Sequence, residues 1–101
     1  MIVQFSIVPL GRGTSVSRRV AEALRIVESS GLDYRLTPMG TVVEGSWDDV
    51  MALVRQCHRA VLKHEKRVLT TITIDDRKGA KNRIEMKVKS VEKKAGKKLR
   101  T

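Results

Sequence analysis

Few side chains in this sequence stand where chemistry could use them, and Glu44 is the first. It sits near the end of the run Met39-Gly40-Thr41-Val42-Val43-Glu44-Gly45, where alternation puts it on the polar side of a strand. A carboxylate on a central strand is costly unless paired, so it should meet an arginine (Arg35 or Arg67), a neighbouring subunit or a ligand. Ahead of it, Gly40 lets main-chain groups approach a flat ring closely. Thr41 would offer a hydroxyl at the edge of such a ring, and Met39 a soft surface against its face. A plain hairpin turn with a core methionine would use the same three residues.

The other reactive residue types do not assemble. His58 and His64 lie six apart and share no helix face, whereas a metal pair would be spaced by three or four, so no metal site is expected. Cys57 has no CxxC partner and falls at an inward-looking position. Asp75-Asp76-Arg77 ends a strand and suits an Asp–Arg pair anchoring the next loop. Gly11-Arg12-Gly13 precedes a helix N-terminus, where an anion could bind, but it lacks the Lys-Ser/Thr of a P-loop. No nucleophile–base–orienter set and no hydrolytic carboxylate pair emerges, which favours a binding protein over an enzyme, with no cofactor required. Phe5, Tyr34 and Trp47 are the only aromatics able to stack on a ring. Phe5 reads as core, Trp47 as a pocket rim or part of a buried helix face, and Tyr34 as an edge-strand residue suited to a subunit contact.

These residues need elements to hold them. Ile2 to Pro9 alternates as a strand, with Val3, Phe5 and Ile7 on one face and Gln4, Ser6 and Val8 on the other. Gly13-Thr14-Ser15 offers a loop with a helix N-cap. Val16, Val20, Leu24 and Val27 then recur at helical spacing up to Gly31. Tyr34 to Thr37 and Thr41 to Glu44 form a hairpin around Pro38 and Gly40. Ser46 and Asp49 make a capping box for a helix burying Val50, Leu53, Val54, Cys57 and Val61. Arg67 to Asp75 is a fourth strand, with Val68, Thr70, Ile72 and Ile74 on one face. After a polar break from Arg77 to Ala80, the apolar residues Ile84, Val88, Val91, Ala95 and Leu99 mark a basic helix over about 80–99.

The order βαββαβ plus a terminal helix predicts an α+β ferredoxin-like sandwich: one antiparallel sheet with two helices on one face, in a single domain spanning 1–101. The open face should carry Gln4, Ser6 and Val8, then Val42 and Glu44 from a strand expected to lie parallel beside the first, then Leu69, Thr71 and Thr73. That mixture is too apolar to be merely wet. The terminal helix also needs something to pack on, so self-association is expected, as a homodimer or homotetramer, by sheet stacking or exchange of the last helix.

The net charge of +10 suggests nucleic acid at first sight. Its distribution argues otherwise, because residues 77–101 hold eleven Lys/Arg against two acids, and residues 1–76 hold ten against nine. RNA-binding sheets of this topology stack bases on aromatics of the central strands, and this open face has none. Nucleic acid is left with non-specific contact by the tail; a nucleic-acid-associated or purely structural or regulatory oligomer is the alternative reading. One cysteine and an opening without a basic region match neither a disulfide scaffold, a signal peptide nor a membrane span, which points to the cytoplasm.

Six stretches, taken in order, carry a family resemblance. They are Val8-Pro9-Leu10-Gly11, Ser15-Val16-Ser17, Ser30-Gly31-Leu32, the Met39 to Gly45 run, Arg67-Val68 through Ile74-Asp75-Asp76-Arg77, and Lys87-Val88-Lys89-Ser90-Val91-Glu92. Together they resemble the small thiamine-binding proteins, single-domain ferredoxin-like proteins that assemble as dimers paired into tetramers. The resemblance implies thiamine or its pyrimidine moiety as ligand, with Glu44 facing the aminopyrimidine or balancing the thiazolium charge. Candidate ligand-binding residues are then Glu44, Thr41, Gly40, Met39, Ser6 and Trp47.

Overall fold

The elements start and stop where the sequence supplies the signals. The computed structural model describes residues 1–10, 16–79 and 81–101, without the side chains of Val16 and Ser17. The Gly11-Arg12-Gly13 turn, the Gly13-Thr14-Ser15 loop, the side chain of Val16 and Ala80 lie outside the described residues. In chain order the elements are β1 (Ile2–Pro9), α1 (Val16–Ser29), β2 (Asp33–Thr37), β3 (Gly40–Glu44), α2 (Trp47–Leu62), β4 (Val68–Asp75) and α3 (Arg83–Ala95). Ser46 caps α2 by accepting the Asp49 N–H at 3.2 Å.

One sheet has the order β2-β3-β1-β4. Every neighbouring pair is antiparallel, so β3 runs against β1 rather than parallel to it. The fold is therefore α+β and ferredoxin-like with an added C-terminal helix. The register sets Phe5 opposite Thr41 and Ile72, and Val3 opposite Val43 and Ile74, which fixes the face turned to α1 and α2. Val3, Phe5 and Ile7 from β1 meet Val27 from α1 and Val50, Leu53, Val54, Cys57 and Val61 from α2 in one core. Burying each such aliphatic contributes about 1.5–3 kcal/mol. Tyr34 packs against this cluster, on the helix side of the sheet. Trp47, at the start of α2, is 55% exposed and takes no part in the core.

The last helix is shorter than its apolar spacing implied. Gly96, at φ 74°, ends it in the left-handed conformation, donating its N–H to the main chain of Glu92 and Lys93. Leu99 therefore lies beyond the helix, its N–H held by Glu92 Oε2 at 2.6 Å. Ile84 is buried, but Val91 is 56% exposed. The helix rests chiefly on β3.

Candidate ligand-binding site

The two-residue loop Pro38-Met39 joins β2 to β3, with Thr37 opposite Gly40. The Thr37 hydroxyl accepts the Met39 N–H at 3.2 Å and donates to the Gly40 carbonyl at 2.8 Å, which locks the turn. Gly40 is required here by space: a Cβ on it would lie 2.8 Å from the main-chain oxygen of Phe5. The tight turn stops β3 early, while β1 runs on to Pro9. Among the described residues, no strand lies beside β1 on its β3 side beyond Phe5.

That overhang opens a cavity of about 200 Å³. Phe5, Ser6, Ile7 and Val8 line it from β1, and Val20, Ala23 and Leu24 from α1. Leu36, Thr37, Pro38, Met39, Gly40 and Thr41 close it from the hairpin. Thr41 is buried at 7% exposure, and no described residue hydrogen-bonds its hydroxyl. Met39 is neither core nor strand: it is 80% exposed, at the cavity's rim.

Of the six residues singled out from the sequence, the structure brings Ser6, Met39, Gly40 and Thr41 to this cavity. Glu44 and Trp47 lie elsewhere. Thr41 and Glu44 are three residues apart, about 10 Å along the strand, and project to opposite faces. Glu44 meets neither Arg35 nor Arg67. Its Oε2 accepts the Arg83 N–H at 2.8 Å and its Oε1 the Ile84 N–H at 3.2 Å, capping α3. Asn82, the residue before α3, makes no side-chain cap bond, so the carboxylate from β3 serves instead.

Other polar groups are structural. Asp75 pairs with Lys87 of α3 at 2.5 Å rather than with an arginine, and this ammonium holds its carboxyl below the usual range. His58 Nδ1 lies 2.6 Å from Thr70 Oγ1, tying α2 to β4. Cys57 is wholly buried, and burial pushes its thiol up to about 11. Sequence reasoning missed the cavity walls contributed by Ile7, Val8, α1 and Leu36. The available signal was strand length, since eight residues at the start were set beside only four after Gly40.

Fold and cavity together define a small ferredoxin-like domain with a recess of about 200 Å³ at a strand end. The pattern of the thiamine-binding protein family matches residues 3–92, and the chain belongs to that family. A UPF0045 protein of Methanocaldococcus jannaschii is 36% identical over 91 residues, covering 90% of this chain and 91% of that one. The UPF0045 protein YqgV of Bacillus subtilis is 40% identical over 98 residues, covering 91% and 94%. The crystal structure of the M. jannaschii protein matches this fold with a TM-score of 0.83 at 37% identity, covering 89% and 93%. A Thermotoga maritima protein, described provisionally as a thiamine biosynthesis/salvage protein, matches with a TM-score of 0.79 at 27% identity, covering 89% and 96%. Among the described residues, no helix is long and apolar enough to cross a membrane.

Proposed function

We propose that this protein is a non-catalytic, cytoplasmic binding protein for thiamine or a thiamine-related pyrimidine, working as a homo-oligomer, with the overhang cavity as its site. The observation that carries this reading is the convergence of Ser6, Met39, Gly40 and Thr41, read as ligand residues from the sequence, on one recess. Family membership supplies the ligand class. Pockets enclosing drug-sized ligands run to roughly 300–1,000 Å³. At about 200 Å³ this one suits a single ring, and the rest of the ligand would lie over Met39 at the rim. Glu44 and Trp47 stand outside the proposed site.

Calorimetric titration with thiamine tests the reading, on the wild type and on a Leu24→Trp variant that fills the cavity from α1. Saturable binding by the wild type that is lost in a folded Leu24→Trp protein is the expected result. Binding unaffected by the filled cavity would move the site elsewhere.

A further inference from the structure

We infer that the outer face of α3 is a docking surface for duplex nucleic acid, held through its phosphates without reading sequence; the inference stands apart from the thiamine-related reading above. Residues 77–101 hold eleven of the 21 Lys and Arg residues but only two of the eleven acids. On a helix of about 3.6 residues per turn, Arg83, Lys87, Lys89, Lys93 and Lys94 fall within one arc of roughly 160°. Only Met86 and Ser90 interrupt that arc. Glu85 and Glu92 lie beyond its edge, and Ile84 and Val88 lie across from it, on the side turned to β3.

These cations are available to a partner. Lys81, Lys93, Lys94, Lys97, Lys98 and Arg100 are exposed, and none of them forms an ion pair among the described residues. Lys87 pairs with Asp75 and Lys89 with Glu85, but all four of those side chains are at least 50% exposed. Exposed pairs of this kind add little to stability and can exchange for a phosphate. The 13 residues of α3 span about 20 Å. Lys81 extends the charge ahead of the helix, and Lys97, Lys98 and Arg100 carry it past the end.

Length and chemistry select the occupant. A duplex presents one negative charge per about 1.7 Å of axis, enough to meet cations along the whole helix, whereas a small anion would meet one or two. A bilayer needs an apolar helix face, and the one on α3 is already used: Ile84 is buried and Val88 half-buried against the sheet. Single strands are held by stacking on aromatics, and residues 77–101 contain none. The surface is mostly lysine, whose ammonium is a point charge that positions a backbone but reads no base. None of the described residues lining the hairpin recess comes from this segment, so the two surfaces are separate.

Anisotropy titrations of the full chain with a labelled DNA duplex of about 20 base pairs test this. With roughly four phosphates engaged, affinity should fall about 150-fold between about 50 and 200 mM salt, and two duplexes of unrelated sequence should bind within about twofold of each other. Lys93→Gln, Lys94→Gln and Lys97→Gln combined should weaken binding at the lower salt by at least about tenfold and flatten the salt dependence. Melting temperature and thiamine titration should not change in that variant. Arg25→Gln, Arg55→Gln and Arg59→Gln combined remove the same charge from exposed positions on α1 and α2, and should weaken binding by less than about threefold. Equal losses from the two sets would reduce the effect to net charge and overturn the inference. No duplex binding at the lower salt, tighter binding of the single strand, or preference for vesicles of anionic lipid over the duplex would overturn it as well.

Discussion

Glu44 and Arg83 are joined by a carboxylate-to-amide hydrogen bond of 2.8 Å that ties the end of β3 to the start of α3. With the second bond to Ile84, a strand residue supplies the N-terminal cap that the helix lacks locally. A carboxylate at this point also meets the positive end of the helix dipole. Glu44→Gln keeps an acceptor but removes the charge. It should cost about 0.5–2 kcal/mol of stability and raise amide exchange in α3. Thiamine affinity should change by less than about twofold, since a twofold change is a few tenths of a kcal/mol. Affinity lost with melting temperature unchanged would instead make Glu44 a ligand residue.

Gly40→Ala tests the close approach that shapes the recess. The added methyl meets the Phe5 carbonyl at 2.8 Å, and neither backbone can retreat without opening the Phe5–Thr41 pair. A loss of about 1–3 kcal/mol is expected, measured by denaturant midpoint, with weakened ligand binding alongside. A stable variant with full affinity would separate the turn from the site.

Much of this architecture was legible in the sequence because alternation and helical spacing report which face is buried. The five residues predicted for the inner face of α2 are the five buried there. Two features were not legible. Parity alone put Glu44 on the open face but could not say that α3 folds over it, because capping across the chain leaves no local spacing to detect. The end of α3 was overrun because Leu99 continues the apolar spacing, while Gly96, placed to stop the helix, carries the opposing signal. For the site, residues 39–41 and Ser6 were marked individually. Their common cavity depends on how far β1 outruns β3, a relation between two strands rather than a property of either.

Cys57 should be inert in the native protein. It is buried beneath α1, and desolvation raises its thiol to about 11. Alkylation at pH 8 should proceed only through unfolding, with labelling accelerated by urea. A folded-state value above the unfolded one stabilises fully below the unfolded value of 9.0, and that contribution is lost as pH rises toward 11. Cys57→Ala should therefore flatten the decline in stability across this window. Rapid labelling of the native protein would contradict the burial.

Self-association has a specific place to occur. β4 is an edge strand of eight residues without proline or lysine, and it leaves Ile72 36%, Ile74 38% and Leu69 55% exposed. Edges of this kind pair readily unless guarded. Light scattering in moderate salt should give several times the chain mass of 11.3 kDa, and Ile72→Lys should reduce it. A wild type that scatters as a single chain at working concentrations would defeat the homo-oligomer reading.

Thr41→Val asks whether the cavity, rather than the end of β3, holds the ligand. The substitution preserves shape and removes a hydroxyl that no described residue engages, so the fold loses no internal hydrogen bond. Its melting temperature should hold, because a hydroxyl that no described residue engages gives way to a methyl of similar size. If a ring sits in the recess, that hydroxyl lies at its edge and contributes about 1 kcal/mol, so affinity should fall about fivefold. Measured with Glu44→Gln on the same preparation, the two changes give opposite patterns: affinity falls and stability holds at Thr41, while stability falls and affinity holds at Glu44. The reverse pattern would place the ligand at the α3 end of β3 and remove the overhang cavity as the site.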